Sequence, residues 1–185
     1  MTLVLASSSP RRRELLARAG LSFKVEAPSY DERRLRMSPP AIYGMQLAYQ
    51  KALSVKENRL KDVIVAADTV VVLDGRILGK PKDRAEAEAM LRALRGREHA
   101  VISAYCVLGA KKYVDYDVSR VVFEEFSDAQ MRAYLDKNTY MDKAGAYGVQ
   151  EIDEFSVRVL DAVDTVVGLH VDSILRALEG EGYGR

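Results

Sequence analysis

The sequence holds a single cysteine, no tryptophan and two histidines among its 185 residues. One cysteine, Cys106, rules out an internal disulfide and any zinc site built mainly from thiolates. His99 and His170 are too few and too far apart in sequence to supply an imidazole set for zinc, so both read as structural. An excess of charge of one sign is also missing: 28 Lys and Arg stand against 27 Asp and Glu, a net charge of +1. That balance creates no field to draw a polyanion, so nucleic acid is not an expected partner and any anion site must come from local clustering. No segment approaches the roughly 18 apolar residues that a membrane span needs. The opening stretch, MTLVLASSSPRRR, has an apolar run too short for a secretion signal, and its arginines follow that run. The expectation is a soluble, cytoplasmic chain with Cys106 in its core.

What is present suffices for a real interior: 48% of residues are apolar, with no repeat and no low-complexity linker. Residues 1–185 therefore read as one domain. Thr2–Ala6 reads as a short strand, and Ser9 with Pro10 as the N-cap and first position of a helix to about Ala19, ended by Gly20. Arg11, Arg12 and Arg13 fall in its first turn, where the helix dipole disfavours cations, a conflict typical of functional sites. A strand over Phe23–Ala27 and a polar loop over Ser29–Ser38 precede a long helix, Pro39–Glu57, with an apolar stripe at Ala41, Met45, Ala48, Ala52 and Val55. Lys51 lies beside that stripe. Val63–Leu73 reads as a strand buried on both faces, turning through Asp74-Gly75 into Arg76–Leu78. Asp83 with Glu86 resembles a capping box for a helix closed by Gly96. Strands over Ala100–Leu108 and Tyr113–Phe126, a helix capped by Ser127 and Gln130, one or two strands in Phe155–Val167 and a helix over Val171–Leu178 complete the pattern. Strands alternating with helices, with hairpins between, imply α/β architecture with a mixed sheet.

Asp68 interrupts a strand of Val, Ile and Ala, where an unpaired charge would cost several kcal/mol. An acid that ends the strand and caps a turn is the structural alternative, yet Val70–Leu73 continue the apolar run. The functional reading is a rigid carboxylate serving as metal ligand or general base. Cations stand at several places. Ser7-Ser8-Ser9-Pro10-Arg11-Arg12-Arg13 puts hydroxyls, backbone N–H groups and guanidinium groups at a strand-to-helix junction, a ready anion site. Gly79-Lys80-Pro81-Lys82 places two lysines in a stiff loop without Walker spacing. Lys51 is a further candidate, and Glu32 a second carboxylate. Cations near a buried acid point to a triphosphate bridged by a divalent metal ion, Mg²⁺ or Mn²⁺, since both favour oxygen ligands.

Four ordered segments carry a resemblance: Ala6-Ser7-Ser8-Ser9-Pro10-Arg11-Arg12, Ala67-Asp68-Thr69-Val70-Val71, Leu78-Gly79-Lys80-Pro81, and Asp142-Lys143-Ala144-Gly145-Ala146-Tyr147-Gly148-Val149-Gln150. Together they resemble the Maf family of nucleotide pyrophosphatases. The resemblance implies a mixed twisted sheet flanked by helices, in two lobes with a central cleft, of the inosine triphosphate pyrophosphatase-like kind. It also implies hydrolysis of a nucleoside triphosphate between its α and β phosphates. By motif position Asp68 would activate water, Ser7, Arg12, Lys51 and Lys80 would hold phosphates, and Glu32 would join Asp68 at the metal. Arg11, Thr69 and Gln150 match the branch similar to dTTP/UTP pyrophosphatases, where an amide can both donate to and accept from a pyrimidine edge. The branch acting on 7-methyl-GTP has tryptophan at the Arg11 position and an acid at the Gln150 position. That branch and a non-enzymatic regulator of septum formation remain the alternatives. Partners implied are a small-molecule nucleoside triphosphate and no membrane, with a homodimer compatible. The chain departs from the family pattern at Glu151-Ile152-Asp153, at His170, where proline is common, and at Ser103-Ala104.

Overall fold

A computed structural model of the chain describes residues 1–36 and 38–183. In chain order the elements are β1 (Leu3–Ala6), α1 (Pro10–Arg18), β2 (Lys24–Glu26), α2 (Pro40–Lys56), β3 (Val63–Leu73), β4 (Arg76–Leu78) and α3 (Arg84–Leu94). There follow β5 (Glu98–Leu108), β6 (Lys112–Phe123), α4 (Asp128–Asp136), β7 (Val157–Val159), α5 (Val163–Val167) and α6 (Val171–Gly180). Short 3-10 turns occupy Glu32–Arg34, Ala144–Ala146 and Val149–Glu151. The strands run in the order β2-β1-β3-β5-β6-β7, with β4 also on β3. β1 pairs in parallel with β2 and β3, whereas β3–β4 and β6–β7 are antiparallel, so the sheet is mixed as the alternation of elements implies. The chain divides into two compact units, one of 1–69, 103–117 and the segment from Gly168 onward, the other of 70–102 and 118–167.

In the first unit, β1 and the start of β3 are buried on both faces, and their alternation sorts two layers. Leu3, Leu5, Val63, Val65 and Ala67 pack with Leu16 of α1 and Ile174 and Leu178 of α6. Val4, Ala6, Ile64 and Ala66 pack with Ala48, Ala52 and Val55 of α2. Alanine dominates that second layer because α2 comes close: a Cβ on Gly44 would sit 3.1 Å from Cβ of Ala104. Cys106 is buried in the same layer, and burial pushes its thiol up to about 12.

The second unit closes over an aromatic core of Phe123, Phe126, Tyr134, Tyr147 and Phe155, with Phe126 and Phe155 stacked at 4.1 Å between ring centres. Asp74 and Gly75 both take positive φ, which suits the β3–β4 hairpin turn. The Ser127–Gln130 capping box forms in both directions. At α3 half of the expected box forms: Asp83 accepts from Glu86 N, but the Glu86 carboxylate accepts from Lys82 N. The valine-rich stretch after Phe155 supplies β7 and then the helix α5, not a second strand. Its ladder stops at Val159, and just beyond it the Asp161 carboxylate accepts from both the backbone N–H and the guanidinium of Arg120, so tertiary pairing overrides β-propensity there.

Candidate active site

The alternation along β3 continues past the core. Ile64 and Ala66 face α2, so Asp68 does too; Val65 and Ala67 face the α1 and α6 layer, so Thr69 does too. On α2, Lys51 lies between the buried Ala48 and Ala52 and is itself 8% exposed, against 9% for Asp68. Lys51 Nζ donates to Asp68 Oδ1 at 2.6 Å and stands 2.7 Å from Glu32 Oε1. The lysine expected at phosphate therefore bridges two carboxylates. Glu32 opens the 3-10 turn whose N-cap, Asp31, accepts from Arg33 N, while the Arg33 guanidinium clamps the Asp31 carboxylate. A buried acid inside an apolar strand is tolerated because this ammonium neutralises it.

Arg12 is held from the other layer. Ser9 caps α1 by accepting from Arg12 N, and the buried Ser7 hydroxyl accepts from Ser9 N. The half-buried Arg12 donates Nε to Gly168 O at 2.9 Å and Nη2 to Thr69 Oγ1 at 3.0 Å. Gly168 has φ +135°, a conformation open to glycine, and a Cβ there would lie 3.4 Å from Arg12 Nε. These acceptors offset the unfavourable helix dipole at the first turn. Burial lowers the Arg12 pKa, and the negative charge of Asp68 opposes that shift. Arg11, half-buried beside it, adds positive charge to the same neighbourhood.

Two participants carry no strong sequence signal. Tyr43 precedes Lys51 by two helical turns on α2, and its phenol is raised by burial first and then by the charges of Asp68 and Glu32. Its spacing to Leu47 and Lys51, four and eight residues, was the available clue. The Gly168 carbonyl that holds Arg12 leaves no such trace, because every residue has a carbonyl.

In the second unit Lys80 and Gln150 are both exposed. Gly145, at φ +67°, donates its N–H to Gly79 O at 3.0 Å, tying the Ala144–Gln150 segment to the residue before Lys80. The rest of that segment is anchored internally. Tyr147 OH lies 2.6 Å from His99 Nε2, Gly148 N donates to Tyr134 OH at 3.2 Å, and the buried Lys143 ammonium stands 3.0 Å from Glu151 Oε2. Lys143 Nζ also donates to the Thr139 carbonyl. Glu151, one of the departures from the family pattern, thus pairs with a lysine inside the motif. His99 is buried against Phe123 and Tyr147, and burial lowers it to about 4. His170 is bonded to Ser173 at 2.9 Å and lies 3.1 Å from Asp117. Both histidines have the structural surroundings expected of them.

The structure brings Arg12, Glu32, Lys51, Asp68 and Thr69 into one bonded or charge-coupled group, with Ser7 at the cap beside Arg12. Among the described residues no group of three or more His, Cys, Asp and Glu forms a metal cage. Two carboxylates remain, which is the donor set with which proteins hold Mg²⁺ when substrate phosphates complete the shell.

A family model described as Maf-like protein matches residues 2–181. The chain is 44% identical over 153 residues to a Clostridioides difficile (strain 630) protein named dTTP/UTP pyrophosphatase, covering 81% of this chain and 79% of that one. It is 40% identical over 186 residues to a protein of the same name from Caldanaerobacter subterraneus subsp. tengcongensis, covering 98% and 89%. The solved structure of the Staphylococcus aureus Ham1 protein matches with a TM-score of 0.53 at 16% identity, covering 97% of this chain and 98% of that one, so the two share a fold. With the motifs in order and the match running almost end to end, the chain belongs to the Maf-like protein family.

Proposed function

We propose that this protein is a nucleoside triphosphate pyrophosphatase that hydrolyses dTTP and UTP to the monophosphate and pyrophosphate. The observation that carries the chemistry is the buried Asp68 on β3, paired with Lys51, which also holds Glu32, and within the field of Arg12. The printed names of the relatives support the substrate. Asp68 accepts a proton from water, the water oxygen bonds to the α-phosphorus, and the α–β bridging bond breaks with pyrophosphate as leaving group. Arg12 suits the role of phosphate clamp because Gly168 O and Thr69 Oγ1 hold its fork in place. Ser7 and Lys80 are the other phosphate contacts of this reading, and Arg11, Thr69 and Gln150 its selectivity residues.

Glu32 and Asp68 fit a divalent cation, since both are oxygen donors that converge on one cationic group, the Lys51 ammonium. When bound, Mg²⁺ or Mn²⁺ would neutralise charge on the triphosphate. Positioning and electrostatics then supply most of the acceleration. A pyrophosphate-release assay over a panel of canonical and modified triphosphates tests the proposal: dTTP and UTP should lead, and a preference for 7-methyl-GTP or no turnover at all refutes it.

A further inference from the structure

Lys51 is committed to the two oxygens that a divalent cation would take, at 2.6 Å from Asp68 Oδ1 and 2.7 Å from Glu32 Oε1. We propose that Lys51 is the resident counter-ion of this acid pair, that it competes with divalent metal for it, and that metal binding releases the ammonium to the triphosphate. The inference deepens the function proposed above and rests on its metal reading. An ammonium and a divalent cation seek the same carboxylate lone pairs, and two cations crowded onto one pair of acids repel each other. The backbone at Lys51 is fixed: its carbonyl accepts from Ser54 Oγ at 2.9 Å, and Ser54 Oγ in turn accepts from Ser29 N at 3.3 Å. What can move is the flexible four-carbon stem, which lets the charge travel without disturbing α2. Arg12, a cation that feels the charge of Asp68, is bonded to Gly168 O and Thr69 Oγ1, whereas Lys51 touches both acids directly and is the competitor. Lys51 would then act twice, first holding the acid pair together without metal and then meeting phosphate once metal has replaced it.

The test is Mn²⁺ binding followed by electron paramagnetic resonance, on the purified protein without nucleotide. Lys51→Met should bind Mn²⁺ on the order of tenfold more tightly than the wild type, because the competing charge is gone. Lys51→Arg, which restores a cation, should return affinity to within about threefold of the wild type. A Lys51→Met protein that binds Mn²⁺ no more tightly than a binding-competent wild type overturns the competition while leaving the metal reading intact. Absence of Mn²⁺ binding by both proteins, even with a non-hydrolysable nucleotide present, overturns both. If Lys51→Met fails to fold, amine acetylation of the wild type mapped by mass spectrometry decides. Saturating Mg²⁺ should speed labelling of Lys51 severalfold and leave Lys56, which donates to Asp62 O, unchanged. Equal labelling of Lys51 with and without Mg²⁺ overturns the proposal.

Discussion

Asparagine at position 68 keeps the size of the side chain and one oxygen for Lys51 Nζ, but it gives up the ability to take a proton from water. Asp68→Asn should therefore fold and lose about 10²- to 10⁴-fold in kcat, the range for a removed general base. Pyrophosphate release near the wild-type rate would show that another group accepts the proton. Beside the selectivity role proposed for it, Thr69 acts on phosphate at one remove, through Arg12: Thr69→Val removes the acceptor for Nη2 and leaves the Gly168 bond. KM for dTTP should rise about three- to tenfold with kcat little changed, as for a loosened phosphate contact. Adding Arg12→Ala should make Thr69→Val nearly silent, since side chains in one bonded group do not act additively. Full additivity in that cycle would separate Thr69 from Arg12. Cys106 gives a simpler expectation: with its thiol raised to about 12 and no exposed surface, it should react with thiol reagents after unfolding and not before.

At the scale of elements, the irregular segment from Lys143 to Glu151 is anchored within the second unit by several contacts, and His99 supplies one of them. The folded pKa of His99, about 4, lies below the ordinary histidine value of 6.5. The unfolded chain therefore takes up a proton that the folded chain refuses, and stability is lost as pH falls from 6.5 through 4. Urea titrations at about pH 7 and about pH 4.5 should differ by about 2–3 kcal/mol more in the wild type than in His99→Gln. Equal pH dependence in the two would mean that His99 titrates normally. Most of these elements were legible in the sequence because caps and turns mark their ends: Ser9-Pro10 for α1, Asp74-Gly75 for the hairpin, Ser127 with Gln130 for α4. The helix α5 was not, because a run of Val and Asp reads as strand until Arg120 captures Asp161 and ends the ladder. Nor were the anchors of the 143–151 segment legible, since His99 and Glu151 meet their partners only through the fold.

For the molecule as a whole, the candidate site was visible as a set of residue types before it was visible as a set of pairs. Asp68 and Arg12 stand out as charges in apolar or dipole-opposed places and Lys51 only as a cation beside the apolar stripe of its helix, but that Lys51 bridges Asp68 and Glu32 depends on α2 crossing β3 on the even-numbered face. That bridge links the site to global stability. A cation that binds the folded acid pair and not the unfolded chain raises the unfolding free energy by about 2.7 kcal/mol when its concentration is about a hundred times its dissociation constant. For a chain of this length each kcal/mol moves Tm by about 2–4 °C, so saturating Mn²⁺ should raise Tm by several degrees. Glu32→Gln and Asp68→Asn should each lose most of that gain, because each removes a charged oxygen donor from the pair. Nucleotide added after Mn²⁺ should raise Tm again in the wild type, through phosphate contacts at Arg12 and the released Lys51. A metal-induced rise of equal size in wild type, Glu32→Gln and Asp68→Asn would place the cation elsewhere on the molecule and detach the carboxylate pair from the chemistry proposed for it.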